Sequence, residues 1–476
     1  QPSAQSSDDL VSAIRPIYEP LFAETKDGLE YYLADKLDIS EDGLTYTLHI
    51  NDKATWSDGE PVTVKDIKFT IDYGVLVYGG PTSFTKVNGG EVQINEIDDK
   101  TMEFVLPSVY DNYVRTLSQF YPMPAHAFDN DPSKIDDSTY FKTPGMATSG
   151  AYVVSEINED SFVYTARDDY YRGTPSVKKV VIKTIGSGST KQIEFENGGI
   201  DYMRVTSAED LKKYKEESDK YNMYSISEAR LNYLQLNPHG PVMSTLSQDA
   251  RKAIFLALDK DAIVDFAWGS DELAEPANSL ITPDQSIYNK NCKGYNFNLE
   301  EAKKLAKSSG LEGKELTYIY NSDRANMESV ATVVQQQLAE IGVTVNIESC
   351  DTSTFFPRFF ASKDKELATT WDLGTNGWDS QRGSNCGQAI SYFTNRLCDC
   401  GYSDEVSGLA QKAIGTADAK EKQELWNTIQ DKALEECWEY PLTYTNFVMV
   451  SQKNVTGLDG SSVVPEFIDY LSIHMD

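Results

Sequence analysis

A strand–helix–strand pattern within residues 298–350 is the sequence feature that most restricts how this chain can fold. Residues 316–320 are predicted to form a strand, and residues 343–347 alternate between apolar and polar as a second strand does. Between them, apolar residues recur at helical spacing up to Gly342, a residue typical of a helix end. Two strands joined through a helix pair in parallel, because a parallel pair needs a long crossover connection. The sequence therefore predicts an α/β protein.

Alternation and capping residues predict further elements along the chain. Thr63, three residues before Asp66, predicts a helix over about 64–75, since a capping side chain satisfies free N–H groups in the first turn. Other helices are predicted to begin at caps with the same role, namely Asp259, Asn298 and Thr416, the last one starting a helix that runs to about Cys437. Strands are predicted at 44–50, 151–157, 161–167, 178–185, 231–237 and 442–450.

Length and charge limit the classes of protein and partner. A chain of 476 residues exceeds the size at which a single core usually divides, which predicts two or three domains. It has 43 basic and 74 acidic residues, for a formal net charge of −31. Because nucleic-acid binding needs a positive patch, we expect no nucleic-acid partner. No apolar run has the length of a membrane span, and residues 1–9 are polar and do not resemble a signal peptide.

The motifs that would indicate an enzyme are missing from the sequence. There is no GxSxG, HExxH or P-loop pattern, and the glycines of residues 185–190 lack the spacing of a dinucleotide-binding loop. Adjacent acid pairs such as Asp168 and Asp169 are typical of solvated surfaces. We therefore expect a protein that is not an enzyme and that has no cofactor.

The six cysteines leave three interpretations open. All of them lie in the last two-fifths of the chain, at Cys292, Cys350, Cys386, Cys398, Cys400 and Cys437. An even number in one region is compatible with disulfides in an exported protein, and buried thiols are the second alternative. A metal site is the third, but the spacing lacks a CxxC pair and only four histidines are present, widely separated, so we expect no metal.

Several segments resemble one protein family. Residues 41–73, EDGLTYTLHINDKATWSDGEPVTVKDIKFTIDY, are similar to its "W-S-DG-x-P" turn with the strand before and the helix after it. Residues 17–21 resemble its "YEPL" segment, residues 122–126 its "P-x-x-H" segment, and residues 371–378 its "YDLALxGW" strand. The matches follow family order from about residue 17 to 455. On these segments the chain resembles the extracellular solute-binding proteins of ABC importers, family 5, in the peptide- and oligopeptide-binding branch.

The resemblance implies an architecture. The fold expected is an α/β fold of the periplasmic-binding-protein kind, a two-lobe clamp of type II in its large form. An extra α+β domain would be inserted in lobe I. Lobe I would comprise residues 1–32, 149–235 and 447–476, the extra domain residues 33–148, and lobe II residues 236–446. Closure of the two lobes on a ligand would be the working movement, and it requires no chemistry.

The resemblance also implies where the ligand binds. Trp378 would form a wall of the pocket, with packing in the hinge core as the alternative. In similar peptide-binding members an acid that holds the ligand's ammonium group follows it three positions later. Gln381 stands there instead and carries no charge, so Asp379 is the alternative acid. Arg382 is expected to pair with a carboxylate or stack on a ring, and Asn385 to bond a backbone or a sugar hydroxyl. The expected ligand-binding set is completed by Asn237 at the end of a predicted strand.

The function implied is capture of a solute for import. The chain would be the extracellular substrate-binding component of an ABC importer, taking up a peptide and delivering it to the permease subunits. An oligosaccharide or another small nutrient, such as a chelated metal, is the alternative ligand. We expect a monomer at the extracellular face of the membrane or in the periplasm, lipid-anchored in the full-length form.

Overall fold

The computed structural model describes residues 13–25, 28–80, 82–110, 112–118, 120–186, 188–361, 366–379, 393–394, 400–459 and 469–476. The chain divides into two compact units. Unit 1 comprises Gln1–Arg204, Tyr214–Ile226 and Met449–Asp476, and unit 2 comprises Val205–Lys213 and Ser227–Val448. The division into two lobes and an extra domain at the boundaries expected above stays a prediction.

The described residues contain many short strands and mostly short helices. In chain order the strands are β1 (Phe22–Thr25), β2 (Gly28–Tyr31), β3 (Ala34–Ile39), β4 (Thr45–Ile50), β5 (Lys86–Val87), β6 (Gly90–Glu91), β7 (Gln93–Asp98), β8 (Thr101–Val105), β9 (Tyr152–Ile157), β10 (Ser161–Ala166), β11 (Lys179–Lys183), β12 (Tyr202–Val205), β13 (Tyr221–Leu236), β14 (Ala274–Pro276), β15 (Glu315–Asn321), β16 (Thr344–Cys350), β17 (Leu373–Asp379), β18 (Glu439–Gln452), β19 (Val455–Thr456) and β20 (His474–Met475). The α-helices are α1 (Val64–Val77), α2 (Tyr113–Ser118), α3 (Gly188–Glu196), α4 (Ala208–Glu216), α5 (Gln248–Ala257), α6 (Lys260–Ala267), α7 (Leu299–Ser309), α8 (Met327–Ala339), α9 (Thr352–Phe359), α10 (Asp404–Ile414) and α11 (Ala419–Glu436).

Unit 1 is built from antiparallel sheets. One sheet has the strand order β3-β4-β8-β7 and another β11-β10-β9. The predicted start of α1 is confirmed: the Asp66 carboxylate accepts a hydrogen bond from the Thr63 N–H at 2.8 Å, as part of a capping box. The same carboxylate accepts a bond from the indole N–H of Trp56 at 3.3 Å, and Trp56 is fully buried. Trp56 of the "W-S-DG-x-P" segment is therefore part of the core of unit 1, whereas residues 58–61 of the same segment are exposed.

The sheet of unit 2 contains the predicted parallel pair. Within this unit the strand order is β18-β13-β17-β15-β16, and β14 pairs with β18. β15 and β16 pair in parallel over their whole length, and α8 connects them. This confirms the strand–helix–strand prediction. The helix fills the crossover because apolar residues on one of its faces, Val330, Val334 and Leu338 among them, are fully buried.

Two of the predicted caps in unit 2 are confirmed and one is wrong. Asp259 accepts a hydrogen bond from the N–H of residue 262, and Asn298 accepts one from the N–H of residue 301. Thr416 does not cap α11: Asp418 does, by accepting the N–H of Glu421 at 2.8 Å. The hydroxyl of Thr416 instead donates to a carbonyl at the end of α10. Thr416 and Asp418 lie two residues apart and both are residue types that cap helices well, so local preference alone did not distinguish them. Among the described residues, no helix combines the length and the apolar character needed to cross a membrane.

Candidate functional site

Most of the Trp371–Trp378 motif forms β17, a strand inside the sheet of unit 2. Its antiparallel register with β13 runs from Arg230 opposite Asp379 to Leu236 opposite Leu373. On its other side β17 pairs in parallel with β15. Residues that face each other across this ladder share one face of the sheet, and successive residues of β17 alternate between the faces.

Trp378 is buried on a face of the sheet that is packed with aromatic rings. It lies opposite Leu231 and is 3% exposed. By strand alternation it shares this face with Gly374. The rings of Phe359 and Trp371 pack there so closely that a Cβ on Gly374 would lie 2.9 and 3.1 Å from them. The ligand-wall role of Trp378 stays a prediction, and its burial is also what packing in the core of unit 2 requires.

Asn237 holds the turn that precedes β17. Its side-chain amide donates to the carbonyls of Ala368 and Trp371 at 2.8 and 2.7 Å, and its side-chain oxygen accepts the N–H of His239 at 3.0 Å. The side chain is 4% exposed. Because these bonds occupy its donors and its acceptor, the geometry favours a role in positioning the turn. Its expected contact with a ligand stays a prediction.

The other expected site residues follow Trp378. Asp379 is the last residue of β17 and lies opposite Arg230 in the ladder. Gln381, Arg382 and Asn385 lie outside the described residues. The structure therefore brings the backbone of Asp379 next to a basic residue that the sequence prediction did not include.

Two residues of opposite charge, Glu228 and Arg230, are buried in β13. They are 6% and 7% exposed. One carboxylate oxygen of Glu228 accepts a hydrogen bond from the Thr445 hydroxyl at 2.7 Å. Nε of Arg230 donates to the side-chain oxygen of Asn232 at 3.1 Å, and the Asn232 amide donates to the Thr443 hydroxyl at 3.1 Å. These two buried charged side chains, held by neighbouring hydroxyl and amide groups on β13 and β18, make this part of the sheet the candidate binding site.

The backbone between these two ions is strained. Ala229 has φ 46°, in the left-handed region, although it lies within a strand. This conformation costs an L-residue roughly 1–2 kcal/mol. The N–H of Ala229 donates to the Ser227 hydroxyl at 3.1 Å, which helps to hold the conformation. Strained backbone concentrates where a structure holds functional groups in place, and here it sets the positions of Glu228 and Arg230.

Gly377 is required by the position of Arg230. A Cβ at residue 377 would overlap the Arg230 guanidinium. The glycine of the "NGW" sequence therefore lets a planar cation lie against β17.

Glu228, Arg230 and their partners were not among the site residues predicted from the sequence. Polar residues at 228, 230 and 232 next to apolar residues at 231 and 233 were the available signal. The predicted strand began only at residue 231, and charged residues at a strand end normally face water. Their burial became visible only with the sheet assembled.

A second buried acid of unit 2 is Glu439, the first residue of β18. It is fully buried and accepts a hydrogen bond from the Tyr402 hydroxyl at 2.7 Å. Burial raises the pKa of the Glu439 carboxyl from its ordinary value of 4.5 to about 8, although hydrogen bonds from Tyr402 and Cys400 act to lower it. The group is therefore a neutral acid near pH 7 in the folded protein.

Stability is expected to decline between about pH 4.5 and 8 because of Glu439. In this window the folded protein keeps a proton that the unfolded chain has released. The contribution of the Glu439 carboxyl to the free energy of unfolding is therefore complete below pH 4.5 and is lost as the pH rises through 8. The slope is about 1.4 kcal/mol per pH unit. Glu439→Gln stays neutral and is expected to flatten this decline in urea unfolding. The exposed Glu435→Gln is the control with an unchanged slope; equal slopes for all three proteins would contradict the assignment.

The described residues give no sign of a metal centre. No group of three or more metal-ligating side chains occurs among them. Cys292, Cys350 and Cys437 are buried free thiols. Cys400 is also buried, and Cys386 and Cys398 lie outside the described residues. For the three free thiols, the buried-thiol alternative is confirmed.

Known relatives match the chain over most of its length. A Brucella ovis protein, named as a candidate ABC transporter peptide-binding protein, is 26% identical over 348 residues, which are 71% of this chain and 64% of the relative. The chain thus spans less than two thirds of that relative. The dipeptide-binding protein of Escherichia coli K12 is 23% identical over 442 residues, which are 84% of this chain and 77% of the relative.

Solved structures share the whole fold. CtaP, an ABC transporter substrate-binding protein from Listeria monocytogenes, superposes with a TM-score of 0.87 at 28% identity and covers 100% of this chain and 96% of its own. The Bacillus subtilis oligopeptide-binding protein AppA, solved with a nonapeptide, superposes with a TM-score of 0.81 at 19% identity, and the match covers 99% of this chain and 95% of AppA. NikZ from Campylobacter jejuni, solved with Ni(L-His), superposes with a TM-score of 0.79 at 20% identity, and the match covers 100% of this chain and 96% of NikZ.

These similarities confirm the predicted fold class, the α/β fold of the periplasmic-binding-protein kind. The family described as bacterial extracellular solute-binding proteins, family 5 Middle, matches residues 28–396. That range contains the "W-S-DG-x-P" turn, the buried ions of β13 and the motif of β17. The chain belongs to the bacterial extracellular solute-binding proteins of family 5.

Proposed function

We propose that the chain is the substrate-binding component of an ABC importer and that its ligand is a peptide. Support comes from the family, from relatives named for peptide and dipeptide binding, and from a solved structure of the same fold that holds a nonapeptide. The protein captures and releases its ligand without changing it. It acts as a binding protein, as its relatives are named, and we propose that it has no enzymatic activity.

The observation that carries the peptide proposal is the buried pair of opposite charges in β13. A peptide with free ends carries an ammonium group and a carboxylate. The Glu228 carboxylate suits the ammonium, and the Arg230 guanidinium suits the carboxylate of the peptide or of one of its side chains. Hydrogen bonds between charged groups are roughly twice as strong as neutral ones. Glu228 thereby supplies the acid that Gln381 does not.

Family membership supports the remaining parts of this proposal. Lobe closure on the peptide, delivery to permease subunits and a monomeric state in solution belong to this proposal. So do placement at the extracellular face or in the periplasm, and lipid anchoring of the full-length form. Asp379, Arg382 and Asn385 are proposed to complete the ligand site. Trp378 is proposed as a further wall of the pocket, although strand alternation places its side chain on the other face of the sheet from Arg230.

A chelated metal is the second candidate ligand, because NikZ shares the fold and was solved with Ni(L-His). A metal chelate that is bound through its organic part needs no protein ligands on the metal. The acidic and basic side chains at Glu228 and Arg230 would bind a histidine chelate through its charged groups as well.

Isothermal titration separates these candidates. Pools of peptides two to six residues long are expected to release heat on binding, whereas Ni²⁺ with L-histidine and a pool of oligosaccharides are not. Native mass spectrometry of the purified protein identifies any ligand that it carries. Heat from the chelate or the sugars and none from any peptide pool would replace the peptide proposal with the corresponding alternative.

A further inference from the structure

Gln285 is a buried side chain with an unusual lack of partners. It is 4% exposed, and neither its amide nitrogen nor its amide oxygen has a hydrogen-bond partner within the part of the chain that the structure describes. Its backbone is well held, since its N–H donates to the Thr282 carbonyl at 3.1 Å and its carbonyl accepts the N–H of Tyr288 at 3.0 Å. The turn is ordered, so the lack of partners belongs to the side chain alone.

The turn that carries Gln285 is attached to the strained part of β13. The carboxylate of Asp284, the preceding residue, accepts a hydrogen bond from the Ser227 hydroxyl at 2.7 Å. That hydroxyl also accepts the N–H of Ala229, which lies between Glu228 and Arg230. Gln285 therefore belongs to the same region of unit 2 as the two buried ions.

A second attachment reaches the turn from β18. The Tyr444 hydroxyl donates to the carbonyls of Ser279 and Ile281, at 2.9 and 3.0 Å. Thr445, the next residue, donates to Glu228. The segment before Gln285 is thus held by the two strands, β13 and β18, that provide Glu228 and its hydrogen-bond donor.

An unsatisfied buried amide destabilises a folded protein, and native structures satisfy most such groups. A second buried glutamine of unit 2 follows this rule: the Gln430 side chain accepts from the Ser279 hydroxyl and the Asn289 N–H and donates to the Ile287 and Trp426 carbonyls, at 2.7–3.0 Å. Binding sites keep polar groups whose partners come from the ligand. A carboxamide offers both a donor and an acceptor, the same pair that a main-chain peptide group needs.

We propose that the side chain of Gln285 binds a main-chain peptide group of the ligand, with its amide nitrogen donating to the ligand's carbonyl and its oxygen accepting the ligand's N–H. This assignment rests on the peptide function proposed above. It makes recognition at this position independent of the ligand's side chains, because every peptide group presents the same donor and acceptor.

Gln285→Met and Gln430→Met test this assignment as a matched pair, since each replaces a buried carboxamide by an apolar side chain of similar length. Without peptide, Gln285→Met is expected to melt at the temperature of the unchanged protein or higher, because it removes an unsatisfied group. Gln430→Met is expected to melt several degrees lower, because it leaves its partners unsatisfied. In titration with a tripeptide that the unchanged protein binds, Gln285→Met is expected to bind about tenfold more weakly or worse.

A ligand series adds a measurement that a structural role would not change. Tripeptide analogues in which an ester replaces one peptide group lose an N–H. The unchanged protein is expected to bind one of these analogues more weakly than the parent tripeptide, while Gln285→Met is expected not to distinguish the two. Equal tripeptide affinity for Gln285→Met and the unchanged protein would overturn the assignment, as would a fall in melting temperature like that of Gln430→Met. If the unchanged protein binds no peptide, the proposed function fails with it.

Discussion

Replacing Arg167 with Met is expected to lower the free energy of unfolding by about 3–5 kcal/mol. The guanidinium is buried, and it donates to the main-chain carbonyls of Thr55, Trp56, Thr148 and Gly150 at 3.1–3.3 Å. It also pairs with the Asp169 carboxylate at 3.1 Å. The substitution removes these charge-assisted bonds; the Trp56 and Thr148 carbonyls keep one backbone donor each, from the N–H groups of residues 59 and 57.

The geometry explains why only an arginine serves at this position. The carbonyls belong to two separate chain segments of unit 1, and the planar guanidinium reaches both at once. Arg167→Lys keeps the charge but not the fork of donors, so we expect it to lose most of the same stability.

Calorimetric unfolding and urea unfolding measure this effect. Lys178→Met is the control, because it also removes a cation that pairs with an aspartate, Asp168, but both side chains are exposed. Its effect is expected to stay within about 0.5 kcal/mol. A loss below about 1 kcal/mol for Arg167→Met would show that the carbonyls find other donors.

Replacing Glu228 with Gln is expected to weaken peptide binding roughly 10- to 100-fold, because hydrogen bonds to charged groups contribute about 1.5–3 kcal/mol. The substitution keeps the shape of the side chain and an oxygen that accepts the Thr445 hydroxyl, which lies 2.7 Å from the carboxylate. It removes the negative charge and replaces one accepting oxygen with an NH2 donor. The melting temperature without ligand is measured for the same variant, so that a loss of peptide affinity is separated from a loss of stability.

Acetylation of the peptide's amino group provides a second half to this experiment. The acetylated peptide is expected to bind the unchanged protein more weakly than the free peptide, and Glu228→Gln is expected to bind both equally. Such a cycle isolates the ammonium–carboxylate contact. Asp379→Asn is the comparison that decides between the two acids: if it removes the discrimination and Glu228→Gln does not, the ammonium-binding role belongs to Asp379.

The local sequence was sufficient to predict those strands and helix caps that depend on residues close together in the chain. The parallel pairing of β15 with β16 followed from the alternation of two strands and the helical spacing between them. The caps at Thr63, Asp259 and Asn298 followed from side chains that bond to backbone a few residues away. The cap of α11 could not be predicted in this way, because Thr416 and Asp418 are both suitable cap residues. The hydroxyl of Thr416 bonds to a carbonyl at the end of α10, and Asp418 caps α11.

The candidate site was also predicted only in part from the sequence. Family resemblance led to β17 and to Trp378, but the register of β17 against β13 determined which residues lie beside them. Asn237 was predicted as a ligand residue, and the two bonds that its amide donates are visible only with the turn at residues 368–371 in place.

The sequence by itself determined the family, through the resemblance of several segments. It also determined the α/β class and the approximate extent of the predicted strands and helices, because these depend on periodicity and on contacts a few residues apart. Only the tertiary structure revealed the buried ions Glu228 and Arg230, the strained Ala229 between them and the unsatisfied amide of Gln285. Burial and hydrogen-bond satisfaction depend on residues that are far apart in the chain. Thr445 lies on another strand than Glu228 and more than two hundred residues away, and no local pattern records such a partner.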